Sequence, residues 1–178
     1  VHETPLTGLI LSGGGARAAY QVGVLQALCA LRSERLGGAS LRNPFGIICG
    51  TSAGAINAAA LACNADRFDA TVAAVAEVWR GFSVDQVYRA DAIGVLRSGA
   101  QWLSMLSAGW VLARWRRARP RSLLDNGPLE GLLQRLVPLD RLPQMLSQRH
   151  LQALAVSASS YTSGEHVTFF ESAGGAPA

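Results

Sequence analysis

The chain has no lysine: all 16 of its basic residues are arginine, set against 12 acids for a net charge of +4. So small an excess is a weak electrostatic footprint, and nucleic acid is not expected as a partner. Cysteine is scarce, and Cys29, Cys49 and Cys63 stand in apolar surroundings without metal-ligand spacing. No disulfide framework and no metal site follow from them; they are expected to be free, buried thiols in a reducing compartment. No apolar run reaches the roughly 20 residues of a membrane span. The nearest approach, Ala92 to Ala113, is broken by Arg97, Ser98, Gln101, Ser104 and Ser107. Val1-His2-Glu3-Thr4-Pro5 lacks the basic region and apolar core of a secretory signal. Repeats, low-complexity tracts and a clear domain linker are missing too. A single domain over residues 1–178 is therefore expected, cytoplasmic or peripheral to a membrane.

What is present is apolar material, 49% of 178 residues, ample for one compact core. Leu9-Ile10-Leu11 is a short apolar run that stops at Ser12 and three glycines, as a buried strand entering a tight loop does. Ala16 to Leu31 are good helix formers, apolar nearly all round apart from Arg17, Gln21 and Gln26, which predicts a helix packed deep against a sheet. Phe45 to Cys49 reads as a second buried strand, and Ala53 to Cys63 as a second helix whose one polar residue is Asn57. Phe68, Val72, Val75 and Trp79 recur at helical spacing, and so do Leu129, Leu132, Leu133 and Leu136 after Pro128. Leu154 to Ser160 and His166 to Phe170 alternate around Tyr161-Thr162-Ser163-Gly164-Glu165, a strand pair joined by a turn. Strand and helix alternate through the first part of the chain, which argues for an α/β layered domain with a largely parallel sheet.

Chemistry concentrates at two strand-to-helix junctions. In Gly50-Thr51-Ser52-Ala53-Gly54 a serine stands between a strand and a helix, with glycines two residues away on each side. Such an elbow exposes the hydroxyl at the carboxyl end of a sheet and sets it at a helix N-terminus, where free N–H groups favour developing negative charge. Gly50 and Gly54 permit the bend, and Ser52 is the candidate nucleophile. At the other junction, Gly13-Gly14-Gly15-Ala16-Arg17, consecutive glycines let N–H groups point into one pocket, suited to a phosphate or to the oxyanion of a tetrahedral intermediate. As Gly13-x-Gly15-x-x-Ala18 the segment also matches a dinucleotide fingerprint, but the acid that fingerprint wants at the end of the next strand is missing, Glu34 lying at a helix end. The oxyanion reading accounts for both glycine clusters, and no cofactor is expected.

Leu11-Ser12-Gly13-Gly14-Gly15-Ala16-Arg17 through Leu25, followed by Gly50-Thr51-Ser52-Ala53-Gly54-Ala55-Ile56-Asn57-Ala58, resembles the bacterial branch of the patatin-like phospholipases. Leu124-Asp125-Asn126-Gly127-Pro128-Leu129 and the Tyr161 to Phe170 segment are similar to that branch as well, so the resemblance covers most of the chain. It implies a three-layer α/β/α fold, a bacterial source, and a Ser-Asp dyad that hydrolyses fatty-acyl esters of phospholipids or related lipids. No metal takes part in that chemistry. Carried over, Ser52 attacks, Gly13, Gly14 and Gly15 form the oxyanion hole, and Arg17 anchors the loop or meets substrate phosphate. Two departures stand out. Ala18 replaces the family's usual glycine, and no aspartate here is followed by glycine, as the family's catalytic aspartate is. Asp125 matches a different segment and reads as a turn or capping residue. The expectation is a domain incomplete at its C-terminus, its catalytic aspartate lying beyond Ala178, and nearly inactive as it stands.

Two other functions fit parts of the pattern. An α/β-hydrolase triad would use Ser52, Asp125 or Asp140, and His166, which occur in the required order; against it, only one strand and helix precede the elbow, and His166 reads as a solvent-facing strand residue like the ordinary His2 and His150. A non-catalytic lipid-binding module would not need the intact Ser52. Arg114, Arg116, Arg117, Arg119 and Arg121, with Trp102, Trp110 and Trp115 nearby, fit either a solvated helix face or a stretch that meets anionic headgroups at a membrane surface.

Overall fold

Short apolar runs build the sheet, and helices rich in small residues lie on it. The computed structural model describes residues 6–36, 42–81, 127–160 and 163–174. Strands β1 (Gly8–Leu11), β2 (Ile47–Thr51), β3 (Ala153–Ser159) and β4 (His166–Ser172) form one sheet in that order, the first three parallel and β4 antiparallel to β3. Helix α1 (Ala18–Leu36) connects β1 to β2, and α2 (Ala53–Cys63) leaves β2 directly and is followed by α3 (Phe68–Arg80). Later come α4 (Gly127–Leu136) and α5 (Leu142–Ser147), and β3 and β4 close the chain as a strand pair.

Register decides which residues share the core. Leu9, Ile48 and Leu154 align in one row and Leu11, Gly50 and Val156 in the next. Leu11, Ile48 and Leu154 are buried in one cluster with Leu25, Ala58, Leu61, Phe68, Val72, Met145 and Leu146. Each of these larger apolar side chains contributes about 1.5–3 kcal/mol by leaving water. The alternate row, Ile10, Cys49, Ala155 and Phe170, points to the opposite face, where Ile10 is 81% and Phe170 55% exposed. The expected mixed α/β architecture with a largely parallel sheet is present and consistent with a patatin-like α/β/α fold. Among the described residues the helices cover the Leu11, Ile48 and Leu154 face.

The small residues of α2 explain how closely it rides on β2. A Cβ on Gly50 would stand 2.6 Å from Ala58 Cβ and 2.7 Å from Ala55 Cα, so backbone meets backbone there. The stripe Phe68, Val72 and Val75 of α3 is buried as its spacing predicts, with Phe68 edge-on to Phe45 at a centroid separation of 5.7 Å.

Several expectations need correction. The first helix is not buried all round: Ala18, Val22 and Leu25 are buried, whereas Tyr20, Val24 and Leu31 are exposed. It packs along one stripe at i, i+4 and i+7, and its apolar composition concealed that stripe. It also starts later and runs longer than expected, because Gly15–Arg17 forms a 3-10 turn before Ala18 and the helix-forming residues past Leu31 continue to Leu36. Phe45 lies ahead of β2 with its ring in the core. The cysteines are free, as expected, but only Cys63 is fully buried; Cys29 and Cys49 are half-buried.

The chain divides into two compact units, Val1–Gly81 with Arg135–Ala178, and Phe82–Gln134. Of the second, only the residues of α4 before Arg135 are described. Ala92 to Ala113, the arginine cluster, Trp102, Trp110, Trp115, Asp125, His2 and Tyr161 lie outside the described residues. Among the described residues no helix is long and apolar enough to cross a membrane, and no group of acids, histidines and cysteines is arranged to hold a metal.

Candidate active site

Ser52 occupies the one residue between β2 and α2, and the crossing is possible only with an unusual backbone: φ is 55° and ψ −123°. Non-glycine residues in such regions carry roughly 1–3 kcal/mol of strain and persist where their surroundings hold them. The holding contacts are visible. Ser52 N–H donates to Ser157 O on β3 at 3.2 Å, and Ser52 O accepts from Ala55 N–H at 2.9 Å. The side chain caps nothing, so the hydroxyl at the head of α2 is exposed and not committed to the helix.

Gly54 makes room for the neighbouring crossing. A Cβ there would overlap the carbonyl oxygen of Leu11 and come within 2.6 Å of Ser12 O, so the end of β1 presses directly on the first turn of α2. The glycine loop then passes over the serine: a Cβ on Gly13 would lie 3.2 Å from Ser52 Cβ and 3.3 Å from Thr51 O. Gly14 (φ 151°) and Gly15 (φ 56°) turn the backbone through conformations that side-chain-bearing residues rarely adopt. No described carbonyl accepts the N–H of Gly13, Gly14 or Gly15, and all three residues are exposed. The structure thus brings Ser52, Gly13, Gly50 and Gly54 into one cluster and carries Gly14 and Gly15 on the same loop.

Arg17 closes that loop. Its N–H donates to Gly14 O at 3.1 Å, and its side-chain stem lies over Gly14, 3.3 Å from where a Cβ would be. Two further residues support the cluster. The Gln21 amide donates to Ser12 O at 2.8 Å and to Ser12 Oγ at 3.1 Å. Asn57 donates to Ala18 O, and its signal in the sequence is a lone polar residue in an apolar helix.

Three described aspartates have partners or places elsewhere. Asp66 pairs with Arg141 at 2.6 Å; Asp69 pairs with Arg32 at 3.3 Å and accepts from Cys29 Sγ at 3.2 Å. Asp140 sits in the 3-10 turn Leu139–Arg141. No described acid or histidine is hydrogen-bonded to Ser52. His166 opens β4, opposite Ser159 on the edge of the sheet, and is exposed. A cavity of about 300 Å³ lined by Asn64, Arg67, Thr71, Arg135 and Leu136 shares no residue with the serine and glycine cluster.

A parallel α/β sheet whose second strand delivers an exposed serine to a helix N-terminus defines a class of elbow-bearing α/β proteins. Within that class the chain belongs to the patatin-like phospholipase family, whose profile matches residues 9–170. No curated protein matches the chain. Among solved structures it is similar to full-length ExoU in complex with full-length SpcU, from the type III secretion system of Pseudomonas aeruginosa, at 22% identity and a TM-score of 0.48, over 97% of this chain and 36% of that one. A structure of the type III effector protein ExoU matches at 21% identity and a TM-score of 0.42, over 93% of this chain and 36% of that one. The chain therefore spans about a third of the length of these structures.

Proposed function

We propose that this chain carries the nucleophile and oxyanion site of a serine lipid acyl hydrolase, acting on fatty-acyl esters of phospholipids or related lipids. Family membership supports a lipid hydrolase. The observation that carries the finer reading is the strained, exposed Ser52 at the head of α2 with Gly13 of the glycine loop against it. In the reaction Ser52 Oγ forms a bond to the ester carbonyl carbon while its proton passes to a carboxylate base. The oxyanion is held by N–H groups of the glycine loop, and the alcohol leaves with the proton. Water then cleaves the acyl-serine. The base is a carboxylate other than Asp66 and Asp69, both already paired with arginine. Arg17, its stem over Gly14, either steadies the loop or meets the substrate phosphate. The site works at a membrane surface, where its substrate resides, and needs neither metal nor cofactor.

The test is Ser52→Ala in the full-length protein, assayed on phospholipid vesicles and with a fluorophosphonate probe. Activity should fall by about a thousandfold or more and labelling should disappear. Undiminished hydrolysis would sink the proposal. A His166→Gln variant run beside it should keep full activity; loss there would instead favour a triad.

A further inference from the structure

Asn57 is the one polar residue of α2 and is 1% exposed. A buried amide is tolerated only when both its ends are satisfied, and here they are. Trp79 Nε1–H on α3 donates to Asn57 Oδ1 at 3.0 Å, and Asn57 Nδ2 donates to Ala18 O on α1 at 3.3 Å. Because the indole N–H can only donate, it fixes which end of the amide faces α3 and leaves the NH₂ for Ala18.

The position of those partners matters more than their number. Ala18 is the first residue of α1, directly after the Gly15–Arg17 turn, and is fully buried. Asn57 stands in the second turn of the helix that Ser52 heads. Their bond therefore ties the base of the glycine loop to the base of the serine turn from inside the protein. Trp79, which holds the amide, also packs against the apolar cluster of Val22, Ala60, Val75 and Ala76. Packing alone gives no reason for an amide; a directional link between two helices does.

We propose that Asn57 is a positioning residue that sets the distance between the glycine loop and Ser52. The proposal rests on the reading of Ser52 as nucleophile and of the loop as oxyanion site, and Asn57 itself touches neither substrate nor reacting atoms. Gly13 already lies against Ser52, so the arrangement has little slack. Displacements of about 1 Å at such sites cost on the order of a hundredfold in rate.

The experiment uses the full-length protein and the variants Asn57→Leu, which keeps the shape, Asn57→Ala, and Trp79→Phe, which removes the indole N–H that reaches Asn57 Oδ1. Asn57→Leu and Asn57→Ala should lower kcat by about tenfold to a hundredfold with KM within about twofold of the parent. Trp79→Phe should have a smaller effect in the same direction. Amide relaxation should show lower order parameters at Gly14 and Gly15 in both Asn57 variants, a readout independent of chemistry. Folded Asn57→Leu protein with unchanged kcat and unchanged glycine order parameters overturns the proposal. Ser52→Ala measured alongside separates the two readings: full activity there removes the nucleophile, whereas an inactive Ser52→Ala with a fully active Asn57→Leu removes only the positioning role.

Discussion

Two strand-to-helix crossings meet at the carboxyl end of the sheet, and they are built in opposite ways. From β1 the chain runs through Ser12 to Arg17 before α1 begins; from β2 it turns on Ser52 alone. The long crossing exposes backbone N–H groups, the short one a hydroxyl. Both use glycine, for different physical reasons. Gly14 and Gly15 are needed for their dihedral angles, with φ of 151° and 56°. Gly50 and Gly54 are needed for space, because a Cβ at either would collide with backbone of the facing element. The short crossing loads its strain onto Ser52 itself and relies on tight packing to hold it; the long one avoids strain by placing glycine at its two positive-φ positions.

That contrast is most sharply tested at Gly54. Gly54→Ala should destabilise the fold by about 4 kcal/mol or more, since its methyl would collide with Leu11 O and Ser12 O, neither of which can move without dislodging β1. Denaturant unfolding or soluble yield measures this. Gly14→Ala should be intermediate, costing about 1–3 kcal/mol for a conformation that is nearly glycine-only. It should also lower hydrolysis more than it lowers stability, because the displaced N–H belongs to the loop. Gly15→Ala should be milder. Nothing lies within 4 Å of its added methyl, leaving only the left-handed φ, worth about 1–2 kcal/mol. Thermal unfolding of the three proteins together decides the matter: if Gly15→Ala is as damaging as Gly54→Ala, the distinction between freedom and space collapses.

Much of this was legible in the sequence because it depends on local rules. The run Leu9 to Leu11 halting at three glycines, and the serine flanked by Gly50 and Gly54, announce their turns through residue type alone. The order of elements implied the parallel sheet. What escaped depends on contacts distant in sequence. The apolar circumference of α1 could not reveal that Ala18, Val22 and Leu25 are the residues fully buried, because Tyr20, Val24 and Leu31 differ from them in neighbours and not in character. The capture of Asn57 by Ala18 and Trp79 spans three helices, and no spacing rule connects them. Gln21 was visible as a polar interruption of α1, but its grip on Ser12 requires the chain to fold back across the loop.

The smallest effects are expected at Cys29 and Cys63, which belong to neither crossing. Burial pushes the Cys29 thiol up to about 12, helped by its hydrogen bond to Asp69 and that residue's charge, with Arg32 opposing. Burial, with the charge of Asp140 adding and Arg141 opposing, takes Cys63 to about 11. A raised thiol pKa means that the folded chain holds its proton more tightly than the unfolded one. The associated stability is intact below about 9 and is lost as the pH climbs through about 11 to 12. Unfolding midpoints should therefore fall over that alkaline window, and Cys29→Ala should flatten part of the decline. At about pH 8 both thiols in the folded protein should react with iodoacetamide far more slowly than in denaturant, since the thiolate is the reactive form. Because the pair lies apart from Ser52 and the glycine loop, Cys29→Ala with Cys63→Ala should leave hydrolysis within about twofold of the parent. Rapid alkylation of native Cys29, with activity lost in step, would tie α1 to the site by a route other than Asn57 and would redraw the boundary between the crossings and their supports.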